Sequence, residues 1–102
     1  PGEAPDAAAF REFEEETGLY PNTFTHLGYF SQFPSTINVG TNLYFARDLT
    51  PTKQNLDEGE ELDVVRLPLA DVLQMITCDE LIDGSLQLGV LLALQKGLLR
   101  IS

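Results

Sequence analysis

A chain of 102 residues with 43% apolar residues has the size and composition of one small globular domain. Its 16 acidic and 6 basic residues give a net charge of −10, which argues against partners that present bare phosphates, such as nucleic acids and anionic membranes. The longest apolar stretch, near the carboxyl terminus, is too short to span a bilayer, and the first residues do not resemble a signal peptide.

The first predicted element is a helix. Asp6 is placed to cap it, and its body over residues 7–16 consists largely of alanine and glutamate, which favour helices. Gly18 is placed to end it, because glycine readily adopts the left-handed conformation that follows a last helical turn.

Three strands and two helices are predicted after this helix. A turn is expected at the Pro-Asn pair 21–22, a loop around Pro34 and a long polar loop over residues 47–61. The predicted strands cover residues 24–30, 41–46 and 62–67; the predicted helices run from Pro68 through Met75 and, mostly buried, from after Gly84 through Leu98.

The order of these elements is helix, strand, strand, strand, helix, helix. This order indicates an α/β protein of the α+β class, with a single domain over residues 1–102. Three strands cannot cover two helical faces well, and the chain opens abruptly in what resembles a loop. Strands upstream of the first helix are therefore expected to be missing.

Three carboxylates share one side of the predicted first helix. Helical geometry places Glu12, Glu15 and Glu16 in one sector about 100° wide, at the margin of the apolar face. The last turn of a helix is the negative end of its dipole, and Glu12 and Glu16 repel each other one turn apart. Arg11 can offset part of this charge by pairing with Glu15. The arrangement suggests divalent cations with oxygen ligands, Mg²⁺ or Mn²⁺; a merely solvated acidic face is the alternative.

A sequence motif coincides with this acidic helix. Residues 11–19, Arg-Glu-Phe-Glu-Glu-Glu-Thr-Gly-Leu, match the core of the Nudix box, Arg-Glu-U-x-Glu-Glu-x-Gly-U, in which U is apolar. Glu3 precedes Arg11 with seven residues between them, as the first glutamate of the motif does. The chain therefore resembles the Nudix hydrolase family, although the glycine that opens the motif would lie before residue 1.

The resemblance implies a fold and a set of roles. The fold would be a Nudix-type α/β/α sandwich with a mixed sheet, whose N-terminal strands are missing from this chain. Arg11 would pair with Glu3 to fix the loop before the helix, and Gly18 would end the helix. The metal ligands would be Glu12, Glu15 and Glu16, with Mg²⁺ as the cofactor and Mn²⁺ as its alternative.

Pro34 and an acidic loop resemble features of the ADP-ribose pyrophosphatase branch of the family. Pro34 lies sixteen residues after Gly18, a spacing typical of that branch, although its neighbours differ from the usual Ser-Pro-Gly. In that branch a glutamate of the acidic loop acts with the metals as general base or additional ligand. Glu58 and Glu60 are the matching positions, with Glu60 preferred. An ordinary loop proline and a solvated acidic turn are the alternatives.

The resemblance implies an enzyme that hydrolyses phosphoric anhydride bonds. Water would attack one phosphorus of ADP-ribose or a related nucleotide sugar, giving a nucleoside monophosphate and a sugar phosphate. The catalytic set would be Glu15, Glu16, Glu58 and Glu60. A Nudix-fold domain that binds a ligand without hydrolysing it, and a Nudix enzyme that acts on nucleoside triphosphates, are the alternatives.

The expected partner is a nucleotide-sugar small molecule, with neither nucleic acid nor membrane. Members of this branch are commonly dimers, and an unpaired sheet edge favours association, so a homodimer is expected. The single cysteine, Cys78, cannot form an internal disulfide. A reducing compartment, the cytoplasm, is therefore the expected location.

Overall fold

The computed structural model of the chain describes residues 3–31, 40–56, 63–80 and 83–101. Within these ranges, three helices, α1 (Pro5–Thr17), α2 (Leu69–Thr77) and α3 (Gly84–Gln95), accompany two strands, β1 (Leu19–Ser31) and β2 (Gly40–Pro51). The two strands pair with each other in an antiparallel sheet, which confirms the α+β class. The described sheet is antiparallel rather than mixed. None of the helices in these ranges has the length and apolar character that crossing a bilayer requires.

Helix α1 differs from its prediction at the start and agrees with it at the end. It begins at Pro5 after Ala4, which makes no side-chain cap, so the prediction that Asp6 caps the helix is wrong. Proline suits a first helical position because its fixed φ fits the helix and its missing N–H has no partner there anyway. Gly18 ends the helix with φ 69°, as predicted, and its N–H donates to the Glu14 carbonyl.

The strands are longer than predicted. The turn expected at residues 21–22 is absent, because β1 begins at Leu19 and Pro21 lies fully buried inside it. A proline is tolerated along a strand edge that needs no N–H, and each strand of the described two-stranded sheet has such an edge. The polar loop predicted from residue 47 starts only after Pro51, since residues 47–51 belong to β2. The Asn22 side chain reaches across from β1 to donate to Thr50 Oγ1 at 2.8 Å.

The third predicted strand, at residues 62–67, is wrong for its described part, residues 63–67, which have no regular structure. The apolar side chains Val64, Val65 and Leu67 are 44%, 72% and 49% exposed, so their alternation does not face a sheet or a core. Alternating apolar residues form a strand only where a neighbouring strand accepts their backbone bonds.

Helices α2 and α3 begin close to where the sequence predicts them, but α3 ends at Gln95 rather than at Leu98. Pro68 precedes α2, and the Asp83 carboxylate caps α3 by accepting hydrogen bonds from the backbone N–H groups of Ser85 and Leu86. The expectation that α3 is mostly buried is wrong, because Leu86 and Leu91 are exposed and only Ala93 of this helix is fully buried in the described structure.

The chain divides into two compact units. The first consists of Pro1–Thr25 and Ala46–Val65. In it, α1 packs on β1 through aromatic rings: the Phe10 centroid lies 5.3 Å from the rings of both Tyr20 and Phe24 in edge-to-face contacts. Such geometry is the preferred one for aromatic pairs.

The second unit consists of His26–Phe45 and Arg66–Ser102. Leu27 and Ala93 are its buried apolar residues in the described ranges. The Lys96 ammonium donates to the Leu27 carbonyl, which joins α3 to β1. An apolar cavity of about 410 Å³ lies in this unit, lined mainly by Leu27, Leu43, Phe45, Leu86, Val90 and Ala93.

Candidate functional site

The acidic residues of α1 lie beside its packed face, as helical geometry requires. Phe10 and Phe13 contact the ring of Phe24 on β1, which fixes the rotation of the helix about its axis. With that face packed, Glu12 and Glu16 are exposed and Glu15 is half-buried. The packing of α1 therefore decides which glutamates reach solvent.

Arg11 donates hydrogen bonds to two carboxylates of the motif, and its Nη2 lies 3.8 Å from a third, Glu12 Oε1. Its Nε donates to Glu3 Oε2 at 3.1 Å and its Nη2 to Glu3 Oε1 at 3.0 Å. Its Nη1 donates to both oxygens of Glu15, at 3.2 and 3.1 Å. One guanidinium thus joins the segment before α1 to the last turn of the helix. Because both oxygens of each carboxylate are engaged, the contacts fix orientation as well as proximity.

These bonds affect the protonation of the groups that make them. Hydrogen bonding from Arg11 holds the pKa of the Glu3 carboxyl below its ordinary value. Hydrogen bonds to Glu3 and Glu15 raise the pKa of the Arg11 guanidinium further above neutrality. Both groups are charged at neutral pH, so the bridge is an ion pair there.

The carboxyl end of α1 is covered by the segment that follows β2, residues 52–55. The Asn55 N–H donates to the Glu15 carbonyl at 2.7 Å, and the Gln54 side-chain Nε2 donates to the Glu16 carbonyl at 2.6 Å. The Thr52 N–H donates to the Gly18 carbonyl at 2.7 Å. Carbonyls of a last helical turn have no partner within the helix, and this segment supplies the donors.

Sequence reasoning missed these contacts. The Thr-Lys-Gln-Asn run at 52–55 is rich in hydrogen-bond donors and is separated from the acidic run by one residue, Leu56, which is the only signal the sequence offers. That signal gives no indication of the helix end it meets, because the contacts of Gln54 and Asn55 join residues 38 and 40 positions apart in the chain. The tertiary structure alone brings them together.

The carboxylate oxygens of α1 are ligands of the kind that hard divalent cations prefer. Within the described ranges, no three His, Cys, Asp or Glu side chains lie close enough together to hold a metal ion by themselves. Mg²⁺ does not need such a cage, since it usually binds through one or two carboxylates, several waters and substrate phosphates. Glu12, whose side chain is 61% exposed, and Glu16 can supply carboxylates of that kind. Both oxygens of Glu15 accept hydrogen bonds from Arg11, and each keeps a second lone pair for a cation.

Three predicted site residues, Pro34, Glu58 and Glu60, lie outside the described residues. The other predicted site residues, Glu3, Arg11, Glu12, Glu15, Glu16 and Gly18, all belong to the first unit and lie on α1 or at its two ends.

Comparison with known proteins points to one family. The family described as NUDIX domain matches residues 1–85. The ADP compounds hydrolase NudE of Escherichia coli (strain K12) is 40% identical over 76 residues, covering 74% of this chain and 41% of that protein. The ADP-ribose pyrophosphatase of Bacillus subtilis (strain 168) is 32% identical over 85 residues, covering 81% of this chain and 46% of that protein.

A solved structure gives the same result at the level of the fold. The crystal structure of an ADP compounds hydrolase is similar to this chain with a TM-score of 0.81 and 33% sequence identity. The similarity covers 99% of this chain and 56% of that one. The chain therefore spans about half the length of the relatives that it matches.

Proposed function

This chain belongs to the Nudix domain family, and from that premise we propose that the protein hydrolyses the diphosphate linkage of an ADP-linked small molecule. ADP-ribose or a related nucleotide sugar is the proposed substrate, and a nucleoside monophosphate and a sugar phosphate are the products. The names of two relatives, an ADP compounds hydrolase and an ADP-ribose pyrophosphatase, support this choice of substrate.

The observation that carries the proposal is the charge arrangement on α1. Arg11 holds Glu3 and Glu15 in fixed orientations, while Glu12 and Glu16 stay exposed on the same helix. Acidic residues crowded toward the negative end of a helix dipole are unfavourable unless a cation is bound. Local rules broken in one place, within a motif, are typical of a functional site.

Glu12 and Glu16, with Glu15, would hold Mg²⁺ or Mn²⁺. The bound cation would neutralise the diphosphate, which a chain of net charge −10 would otherwise repel. Arg11 would keep the Glu15 carboxylate in one orientation by its two hydrogen bonds. A carboxylate of the acidic loop, Glu58 or Glu60, would accept the proton of the attacking water together with Glu15 or Glu16.

The test is an assay of the chain with Mg²⁺ and a panel of ADP-ribose, other nucleotide sugars and nucleoside triphosphates. We expect ADP-ribose or another ADP-sugar to be cleaved, and Glu16→Gln to lower kcat by about a hundredfold or more. The matched control is Glu80→Gln, which removes an exposed carboxylate from the turn after α2 and should leave kcat unchanged.

Two outcomes would contradict the proposal at different levels. Cleavage of triphosphates alone would reject the ADP-sugar substrate and retain the hydrolase. No cleavage of any compound, with Mn²⁺ affinity unchanged in Glu15→Gln and Glu16→Gln, would reject the hydrolase and favour a ligand-binding domain. The expected homodimer stays a prediction, which light scattering of the purified chain would check.

A further inference from the structure

The last turn of α1 is held by neutral donors instead of cationic side chains. Helix ends are commonly stabilised by Lys or Arg, whose charge complements the dipole and whose N–H groups reach the last carbonyls. No basic residue lies in the last turn of α1. The Glu15 and Glu16 carbonyls are met instead by the Asn55 backbone N–H and the Gln54 side-chain amide.

We propose that Gln54 is a positioning residue for the metal-binding carboxylates of α1, acting through its 2.6 Å hydrogen bond to the Glu16 carbonyl. This inference rests on the proposed function, because it assigns Gln54 a part in preparing that same site. Gln54 touches the backbone of the residue whose carboxylate is offered to the cation; it is not itself a ligand.

The physical reason is that last helical turns fray when their carbonyls lack partners. Fraying at Glu16 would change its φ and ψ and swing its carboxylate away from Glu12, one turn earlier. Arg11 restrains the Glu15 side chain, whereas Glu16 is exposed and depends on its backbone for its direction. The hydrogen bond from Gln54 restrains that backbone.

A neutral donor has a second consequence for cation binding. A Lys or Arg at the position of Gln54 would satisfy the same carbonyl but would also pair with the neighbouring carboxylates and compete with a divalent cation for them. An amide supplies the N–H without the charge. The exposed carboxylates of Glu12 and Glu16 therefore gain no competing cationic partner from position 54, and their negative charge can attract a divalent cation.

The experiment compares Mn²⁺ binding by the full chain in three forms, without substrate, by electron paramagnetic resonance. Gln54→Met removes the donor and keeps the length of the side chain. The matched control is Asn22→Leu, which removes another side-chain donor from the same unit; Asn22 bonds to β2 rather than to α1. Thermal unfolding of each form is measured in parallel.

We expect Gln54→Met to raise the Kd for Mn²⁺ about tenfold, on the scale found for partners that orient metal ligands. Amide hydrogen exchange at Gly18, whose N–H closes the last turn, should also become faster. Asn22→Leu should lower Tm and leave the Kd within about twofold of the parent value. Should Gln54→Met fail to fold, Gln54→Asn replaces it, since it keeps the amide but withdraws it by one methylene.

The possible outcomes distinguish a failure of the role of Gln54 from a failure of the proposed function. Equal Mn²⁺ affinity in the parent chain and Gln54→Met, with ADP-sugar hydrolysis intact in the parent, would overturn the role of Gln54 and leave the proposed function standing. Equal weakening in Gln54→Met and Asn22→Leu would also overturn it, because the effect would then follow from lost stability. A parent chain that neither binds Mn²⁺ nor hydrolyses any compound would overturn both.

Discussion

Gly18 follows the last turn of α1 with φ 69° and lies against the backbone of the segment after β2. A Cβ added there would lie 3.1 Å from the backbone nitrogen of Gln54 and 3.3 Å from the carbonyl oxygen of Thr52. We expect Gly18→Ala to lower the free energy of unfolding by about 1–2 kcal/mol for the left-handed backbone alone. Further loss should come from displacement of the segment at 52–55. Urea denaturation followed by circular dichroism measures the total.

Gly97 offers a matched control, because it also has a positive φ, 73°, and no described atom within 4 Å of an added Cβ. Gly97→Ala should therefore report the cost of the left-handed conformation without any close approach. A larger loss in Gly18→Ala is expected. Equal losses in the two variants would contradict the close contact between Gly18 and the segment at 52–55.

The Glu3–Arg11 bridge predicts a pH dependence of stability. Because Arg11 lowers the pKa of Glu3 in the folded chain, the stabilisation is present above the unfolded pKa, about 4.3, and is lost as pH falls through the lower folded pKa. The free energy of unfolding of the parent chain should exceed that of Glu3→Gln at pH 7. The difference should disappear once Glu3 is protonated in the folded state.

Urea denaturation of both forms from pH 7 to pH 3 checks this prediction. Glu80→Gln shows the effect of removing one exposed acid from another part of the chain. A difference between the parent and Glu3→Gln that grows on acidification would contradict the lowered pKa of Glu3, since it would require a raised pKa in the folded chain.

At the scale of elements, the sequence predicts those features that depend on near neighbours. The end of α1 at Gly18 and the start of α2 after Pro68 follow from backbone preferences of single residues. The pairing of Arg11 with Glu15 follows from helical spacing. Each of these can be derived within a window of a few residues, which is why the structure agrees.

Features that depend on distant partners could not be derived in this way. Pro21 predicts a turn locally, yet it lies buried within β1 because the strand is stabilised by its pairing with β2. Val64 and Val65 predict a strand, yet no described strand pairs with them. The hydrogen bond from Gln54 to the Glu16 carbonyl joins positions 38 residues apart, and no local rule indicates it.

The contact between α1 and β1 makes a prediction at this scale. Among the described residues, Phe10 has two edge-to-face neighbours at 5.3 Å, Tyr20 and Phe24, whereas Phe13 has one tilted neighbour, Phe24, at 6.3 Å. Two aromatic pairs contribute about 1–3 kcal/mol beyond the burial of their area. We expect Phe10→Leu to lower the free energy of unfolding by about that amount, as measured by urea denaturation.

Phe13→Leu is the control, because it makes the same chemical change on the same helix with one weaker pair at stake. Its loss should be smaller than that of Phe10→Leu. A loss in Phe13→Leu equal to or larger than that in Phe10→Leu would contradict the assignment of the Phe10 ring as the main contact between α1 and β1.

At the scale of the whole molecule, 16 acidic residues against 6 basic ones make self-repulsion a general property of the chain. Any salt should screen this repulsion and raise stability without using a specific site. A cation bound by the carboxylates of α1 adds a separate stabilisation, because it binds the folded chain and not the unfolded one. Stability in MgCl₂ and in NaCl at equal ionic strength separates the two effects.

We expect the free energy of unfolding in Mg²⁺, at ten times its dissociation constant, to exceed that in NaCl by about 1.4 kcal/mol. Glu16→Gln and Glu80→Gln change the net charge equally, so screening acts on both to the same extent. Glu16→Gln should lose the increment that is specific to Mg²⁺, and Glu80→Gln should keep it. Because the two variants share one net charge, an increment retained by both would mean that Mg²⁺ acts on the charge of the whole chain, and the carboxylates of α1 would then hold no cation.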